Sequence, residues 1–123
     1  MSLLLDTNAL LWAVHEPQRL SPQAIAAIRT ETSAVSLVSF WEIAIKQSIG
    51  KLDAGAGLES WVRAAGLEVV PIRSEHVWRT RDLPLLHRDP FDRMLVAQAL
   101  IEGMTLVTSD RAFAEYGVSM IRA

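Results

Sequence analysis

Short apolar runs alternate along the chain with longer segments in which apolar residues recur every three or four positions. "LLLD" (Leu3–Asp6) is an apolar run that stops at an acid, and "TNALLWAVH" follows with helical spacing and Thr7 or Asn8 near its cap. "SPQAIAAIRTE" opens with Ser21 as a cap and Pro22 at the first helical position. "AVSLVS" (Ala34–Ser39) reads as a strand and "FWEIAIKQSIGKL" as a helix. The three glycines of "GKLDAGAGLES" mark a loop. "LESWVRAAG" is a helix ending at Gly66, "LEVVPI" a strand, and "SEHVWRTRDLP" a helix stopped before Pro84. "DPFDRMLVAQALIEG" is the clearest helix, started by Asp-Pro and ended by Gly103; "MTLVTSD" is a strand, "RAFAEYG" a helix and "VSMIRA" a last strand.

Five short, β-branched strands alternating with helices predict a parallel sheet covered on both faces. In such sheets ligands bind beyond the carboxyl ends of the strands, near a switch in strand order, so chemistry is expected just after each strand. At 123 residues the chain is one domain, residues 1–123, and with 50% hydrophobic residues it can bury a core. There is no cysteine, which excludes disulfides, zinc-thiolate sites and a thiol nucleophile. The N-terminus lacks a basic region and meets Asp6 early, and no apolar run approaches the roughly 18 residues of a membrane span. A soluble, cytoplasmic protein with no membrane contact is expected. The net charge of −2 argues weakly against a polyanionic partner unless the acids are concentrated.

They are concentrated. Asp6 directly follows the first strand and Asp110 follows "TLVTS", while Glu42 lies about one helical turn after "AVSLV". Asp89 and Asp92 begin the helix that leads to "TLVTS", and Asp92 shares a helical stripe with Val96, Ala99 and Gly103. Each acid also has an ordinary reading. Asp6 and Asp110 suit caps of the following helices. Glu42 and Lys46 are spaced for a surface ion pair. Asp89 before Pro90 suits an N-cap, with Asp92 at the acidic third position. Against these stands convergence: several acids project to one edge, where without a cation like charges raise one another's pKa. Oxygen-only ligands fit Mg²⁺ or Mn²⁺ rather than zinc. His15, His76 and His87 show no ligand spacing and read as surface or packing residues.

"LLLDTNALLW", "SFWEIAIKQSIGKL", "HRDPFDRMLVAQA" and "LVTSDRAF" together resemble the PIN-domain ribonucleases, specifically VapC-like toxins of bacterial toxin–antitoxin pairs. The resemblance runs over nearly the whole chain. It implies a three-layer α/β/α sandwich with a central parallel sheet of about five strands, and Mg²⁺-dependent (or Mn²⁺-dependent) endoribonuclease activity. It also implies a VapB-like antitoxin as partner and a homodimer, for which Trp12 and its apolar neighbours on the first helix offer a surface. The family's four acids fall on Asp6, Glu42, Asp92 and Asp110, with Asp89 a rival to Asp92. Asp6, Asp92 and Asp110 would hold metal directly or through water, and Glu42 would complete the shell or orient the attacking water. Thr7 and Ser109 flank two of the acids and would orient them, local capping being their ordinary role. Setting the four acids aside leaves ten acids against twelve basic residues, and Lys46, Arg88 and Arg93 become candidates for RNA phosphate contacts. Trp12, Trp41, Trp61 and Trp78 sit at helical apolar positions, suited to core or interface more than to base stacking. Two alternatives remain open. One is a metal-dependent phosphatase or receiver domain, although "DTN" lacks the second aspartate of a phosphatase motif. The other is a catalytically inactive PIN-like binding module.

Overall fold

The computed structural model describes residues 2–53, 55–86 and 88–123. Ala54 of the glycine-rich loop and His87 lie outside the described residues. The strands are β1 (Ser2–Leu5), β2 (Thr32–Ser36), β3 (Glu68–Val70), β4 (Thr105–Thr108) and β5 (Met120–Arg122). The helices are α1 (Thr7–His15), α2 (Pro22–Thr30), α3 (Leu37–Ser48), α4 (Leu58–Ala64), α5 (Ser74–Arg81) and α6 (Pro90–Glu102), with 3-10 segments at Pro17–Arg19 and Arg111–Tyr116.

All pairings are parallel and the strand order is β3-β2-β1-β4-β5. The chain moves outward from β1 to β3, then returns to lay β4 against the other side of β1. The order therefore reverses between β1 and β4, the position where open sheets leave a crevice. The period-two alternation of side chains builds two apolar layers. Leu3 and Leu5 of β1 pack on one face with Ala9, Leu10, Ala24 and Val62, whereas Leu4 packs on the other with Leu95, Val96 and Ala99 of α6. The expected α/β/α sandwich with a five-stranded parallel sheet is what forms.

Three local expectations differ. The second strand is Thr32–Ser36 and not Ala34–Ser39, because the Ser36 hydroxyl accepts the Val38 N–H at 3.0 Å and starts α3 three residues before Phe40. The cap of α1 is Asp6, one residue before Thr7. "RAFAEY" winds as a 3-10 segment and not an α-helix. Gly103 does end α6, at φ 65°, a left-handed conformation that suits glycine. No helix among the described residues is long and apolar enough to cross a membrane.

Candidate active site

Register aligns Val35, Leu5 and Val107 across β2, β1 and β4, so the residues that follow them share one edge. Asp6 extends the ladder, its N–H donating to the Val107 carbonyl at 3.0 Å. Its Oδ1 accepts the Ala9 N–H at 2.8 Å and caps α1, yet the residue is only 6% exposed. Burial raises the Asp6 pKa above its ordinary value. The Thr108 side chain and the Ala9 amide pull it back, and the charges of Glu42 and Asp110 push it up again.

Glu42 reaches the same edge from α3 and is buried. Its Oε1 accepts the Thr7 hydroxyl at 2.6 Å and its Oε2 the Lys46 ammonium at 2.7 Å. Asp110, exposed beyond β4, accepts the Ala112 N–H at 2.9 Å, while its own N–H donates to Thr108 Oγ1 at 3.1 Å. The helix α6 runs back against β4, so its N-terminus lies at the carboxyl end of the strands. Asp89 caps it, Oδ1 accepting from the Phe91 amide at 2.8 Å and the Asp92 amide at 3.3 Å. Asp92 is half-buried one turn in, above Val96 and Ala99, which are buried as the stripe requires. Its carboxyl is pushed up to about 7, first by burial and then by the charges of Asp89, Glu42, Asp6 and Asp110. One group thus feels all four other acids.

Asp6, Glu42, Asp92 and Asp110 therefore meet at one edge, with Asp89, Thr7 and Lys46 around them. Two candidates have other surroundings. Arg93 turns away: its guanidinium donates to the carbonyls of Pro84 at 2.7 Å, Thr80 at 2.7 Å and Leu83 at 3.2 Å, fastening the end of α5 to α6. Ser109 is exposed, and the hydroxyl that touches both Asp6 and the Asp110 amide is that of Thr108, one residue earlier. Arg88 is exposed beside a cavity of about 330 Å³ that Val38, Trp41, Thr80, Pro90 and Met94 also line. Ser39 was not anticipated either; its Oγ lies 3.0 Å from Thr7 Oγ1. Its spacing, one helical turn before Glu42, was a readable signal, whereas Thr108 emerges only from the β1–β4 register.

A second cluster lies elsewhere. Donor atoms of Glu75, His76 and Glu102 all fall within 4.8 Å of one another. His76 is fully buried; its Nδ1 accepts the Arg73 N–H at 3.0 Å, so Nε2 carries the proton and donates to Glu102 Oε1 at 2.8 Å. Neither nitrogen keeps a lone pair for a metal in this tautomer. The histidine is a packing residue that joins the starts and ends of two helices.

The sequence profile of the PIN domain matches residues 3–118. The chain belongs to the PIN-domain family. This PIN domain is 32% identical over 114 residues to Ribonuclease VapC22 of Mycobacterium tuberculosis (strain ATCC 25618 / H37Rv), covering 89% of this chain and 88% of that protein. Its fold matches a chain of VapBC2 from Rickettsia felis bound to a DNA fragment from their promoter, with a TM-score of 0.73, 17% identity and 98% of each chain covered. It also matches a chain of DNA-bound VapBC from Salmonella typhimurium, with a TM-score of 0.72, 18% identity, and 98% of this chain and 97% of that one covered. Family membership sets aside the phosphatase and receiver readings.

Proposed function

We propose that this PIN domain is a metal-dependent endoribonuclease, the toxin of a toxin–antitoxin pair, hydrolysing RNA at Asp6, Glu42, Asp92 and Asp110. The observation that carries the reading is the meeting of Asp6, Glu42, Asp92 and Asp110, from separate elements, at one edge of the sheet, where burial and the neighbouring charges push the Asp92 carboxyl up. That arrangement costs stability unless a cation joins it. The name of the M. tuberculosis relative, a ribonuclease, supports the same activity.

The donor set suits Mg²⁺ or Mn²⁺. All donors are carboxylate oxygens. Mg²⁺ keeps several of its waters, so carboxylates can hold it partly through water. A divalent ion there would withdraw charge from the phosphoryl oxygen and lower the pKa of the attacking water. Asp6, Asp92 and Asp110 are the proposed ligands. Glu42, fixed by Thr7, completes the shell or orients the attacking water from the α3 side. Lys46 and Arg88 meet the RNA phosphates, and Arg93, engaged with three carbonyls, is left out. With RNA as substrate, the cytoplasm is the proposed location.

The VapBC neighbours support a VapB-like antitoxin as partner. A homodimer is also proposed, through α3 and not α1. Trp12 packs against the core and lies under Arg19, whose guanidinium carbon sits 4.4 Å from the ring centroid. Leu37, Trp41, Ile45 and Ile49, spaced by four along α3, are the exposed apolar stripe.

Purified protein should cleave RNA in Mg²⁺ or Mn²⁺, lose that activity in chelator, and lose it as Asp6→Asn. Cleavage that survives chelation, or that Asp6→Asn leaves intact, overturns the reading.

A further inference from the structure

Glu42 at this edge already holds a cation, the Lys46 ammonium. Asp6 and Asp110 accept backbone N–H groups, and among the described residues the Asp92 carboxylate accepts no hydrogen bond. Glu42 instead has a neutral donor on one oxygen and the Lys46 ammonium on the other, at 2.6 and 2.7 Å. Thr7 has a single hydroxyl proton, which goes to Glu42, so Ser39 donates in the Thr7–Ser39 pair at 3.0 Å. This chain of hydroxyls fixes Glu42 from the inside. Lys46 holds it from the outside, one turn along the same helix, with 45% of its side chain in solvent and the carboxylate's only 9%.

The position of the ammonium matters as much as its bond. It also lies in the fields of Asp89 and Asp92. One monovalent charge on a flexible stem therefore serves three carboxylates. A divalent ion at the same carboxylates and the Lys46 ammonium would draw on the same negative field and repel each other. The buried acid cannot leave, because it is anchored by Thr7. The exposed lysine can.

We propose that Lys46 is the resident counter-ion of the acid cluster, holding Glu42 in the metal-free protein and competing with the divalent ion that the cluster binds. This rests on the metal-nuclease reading and deepens it. Metal binding releases the ammonium from Glu42 at the solvent side, where an RNA phosphate approaches. The phosphate in turn removes the competitor from Glu42. By linkage, each of metal and RNA then favours binding of the other. Lys46 thus acts on the site in two opposite senses, weakening metal binding alone and strengthening RNA binding.

The test is Mn²⁺ binding, read as free Mn²⁺ by electron paramagnetic resonance, for wild type, Lys46→Met, Lys46→Arg, Glu42→Gln and the Glu42→Gln/Lys46→Met double variant. Removing one positive charge beside a divalent site at the protein surface should tighten Mn²⁺ binding about three- to tenfold. Lys46→Arg, which keeps the charge, should stay near wild type. In the Glu42→Gln background the Lys46→Met effect should shrink, because the shared carboxylate is gone. Lys46→Met should meanwhile raise the KM for RNA, opposite in sign to its effect on metal. A merely structural lysine would not move the two in opposite directions. Melting curves confirm folding, and Lys46→Gln carries the same test if Lys46→Met does not fold. Unchanged or weaker Mn²⁺ binding in the charge-removing variant, with wild type binding normally, overturns the inference alone. No Mn²⁺ binding by wild type overturns the metal-nuclease reading and the inference with it.

Discussion

Replacing Asp92 by asparagine in metal-free buffer isolates the cost of crowding acids at one edge. Burial and the neighbouring acids push the Asp92 carboxyl up to about 7 in the folded chain, from an ordinary 3.8. Between those values the folded state keeps a proton that the unfolded state has released. Stability therefore falls as pH rises from about 4 to about 7 and levels off above that. A fully buried carboxyl displaced this far would lose about 4 kcal/mol. Asp92 is partly open to water, which screens the repulsion, so about 1–2 kcal/mol is the working figure. Asparagine has the same shape and no charge. It forfeits the favourable interaction of an acid with the start of α6, about 0.5 kcal/mol, which is the smaller effect. With EDTA present at pH 8, Asp92→Asn should thus be more stable than wild type by about 1 kcal/mol, or roughly 3–6 °C in Tm. At pH 5, where wild-type Asp92 is protonated, the advantage should vanish or reverse slightly. Urea denaturation at the two pH values, followed by tryptophan fluorescence, reads this directly. A variant less stable than wild type by the same amount at both pH values would refute the argument and make Asp92 an ordinary helix-start residue.

Other outcomes follow from the same geometry. Asp89→Asn should keep the cap of α6 and much of the cleavage activity, whereas Asp89→Ala should lose about 1 kcal/mol in denaturation experiments; abolished cleavage in Asp89→Asn beside normal cleavage in Asp92→Asn would exchange the two roles. Mg²⁺ or Mn²⁺ should raise the Tm of wild type, by the equivalent of about 2.7 kcal/mol at a hundredfold excess over Kd, and Asp6→Asn, which can still cap α1, should blunt that response. Arg93→Ala should destabilise by about 2 kcal/mol through the carbonyl bonds it loses to Thr80, Leu83 and Pro84, and Arg93→Lys should recover only part, because an ammonium cannot span them as a planar fork does; a phosphate-binding Arg93 would instead change RNA affinity and leave the denaturation curve in place.

The elements were legible where one periodicity ruled. β1 and β4 are apolar, α6 carries both its Asp-Pro start and its glycine stop, and all were placed within a residue or two. β2 was misplaced because Thr32 and Ser33 are polar, although Ser33 is buried. The apolar Leu37 and Val38 that seemed to continue the strand belong to a helix started by the Ser36 hydroxyl. The acids were legible because Asp6 and Asp110 follow strands, Asp89 and Asp92 begin a helix and Glu42 lies in the second turn of the helix after β2, and topology does the rest. Their supports were not. Arg93 reaches back to carbonyls on the preceding helix and turn, a choice between phosphate and backbone that spacing does not encode. Thr108 is one of several inward positions on a buried strand, and only the pairing of Leu5 with Val107 brings it beside Asp6. The Glu75–His76–Glu102 cluster joins two helices across the fold, and no short motif announces it.

The reversal of strand order between β1 and β4 also sets when the site comes into being. Leu5 pairs with Val107, so Asp6 and Asp110 become neighbours only when segments a hundred residues apart zip together. Pairings of such long separation are the slow part of folding, since loop closure must precede any gain from the contact. On the ribosome, β1 to β3 can associate early, but the crevice has no second wall until β4 has left the exit tunnel. The site is thus built from two segments far apart in sequence, as halves of one lock. Synthesis that stalls before β4 releases a fragment without the assembled acid edge, so the crevice in a protein laid out in this order forms only after β4 has been made.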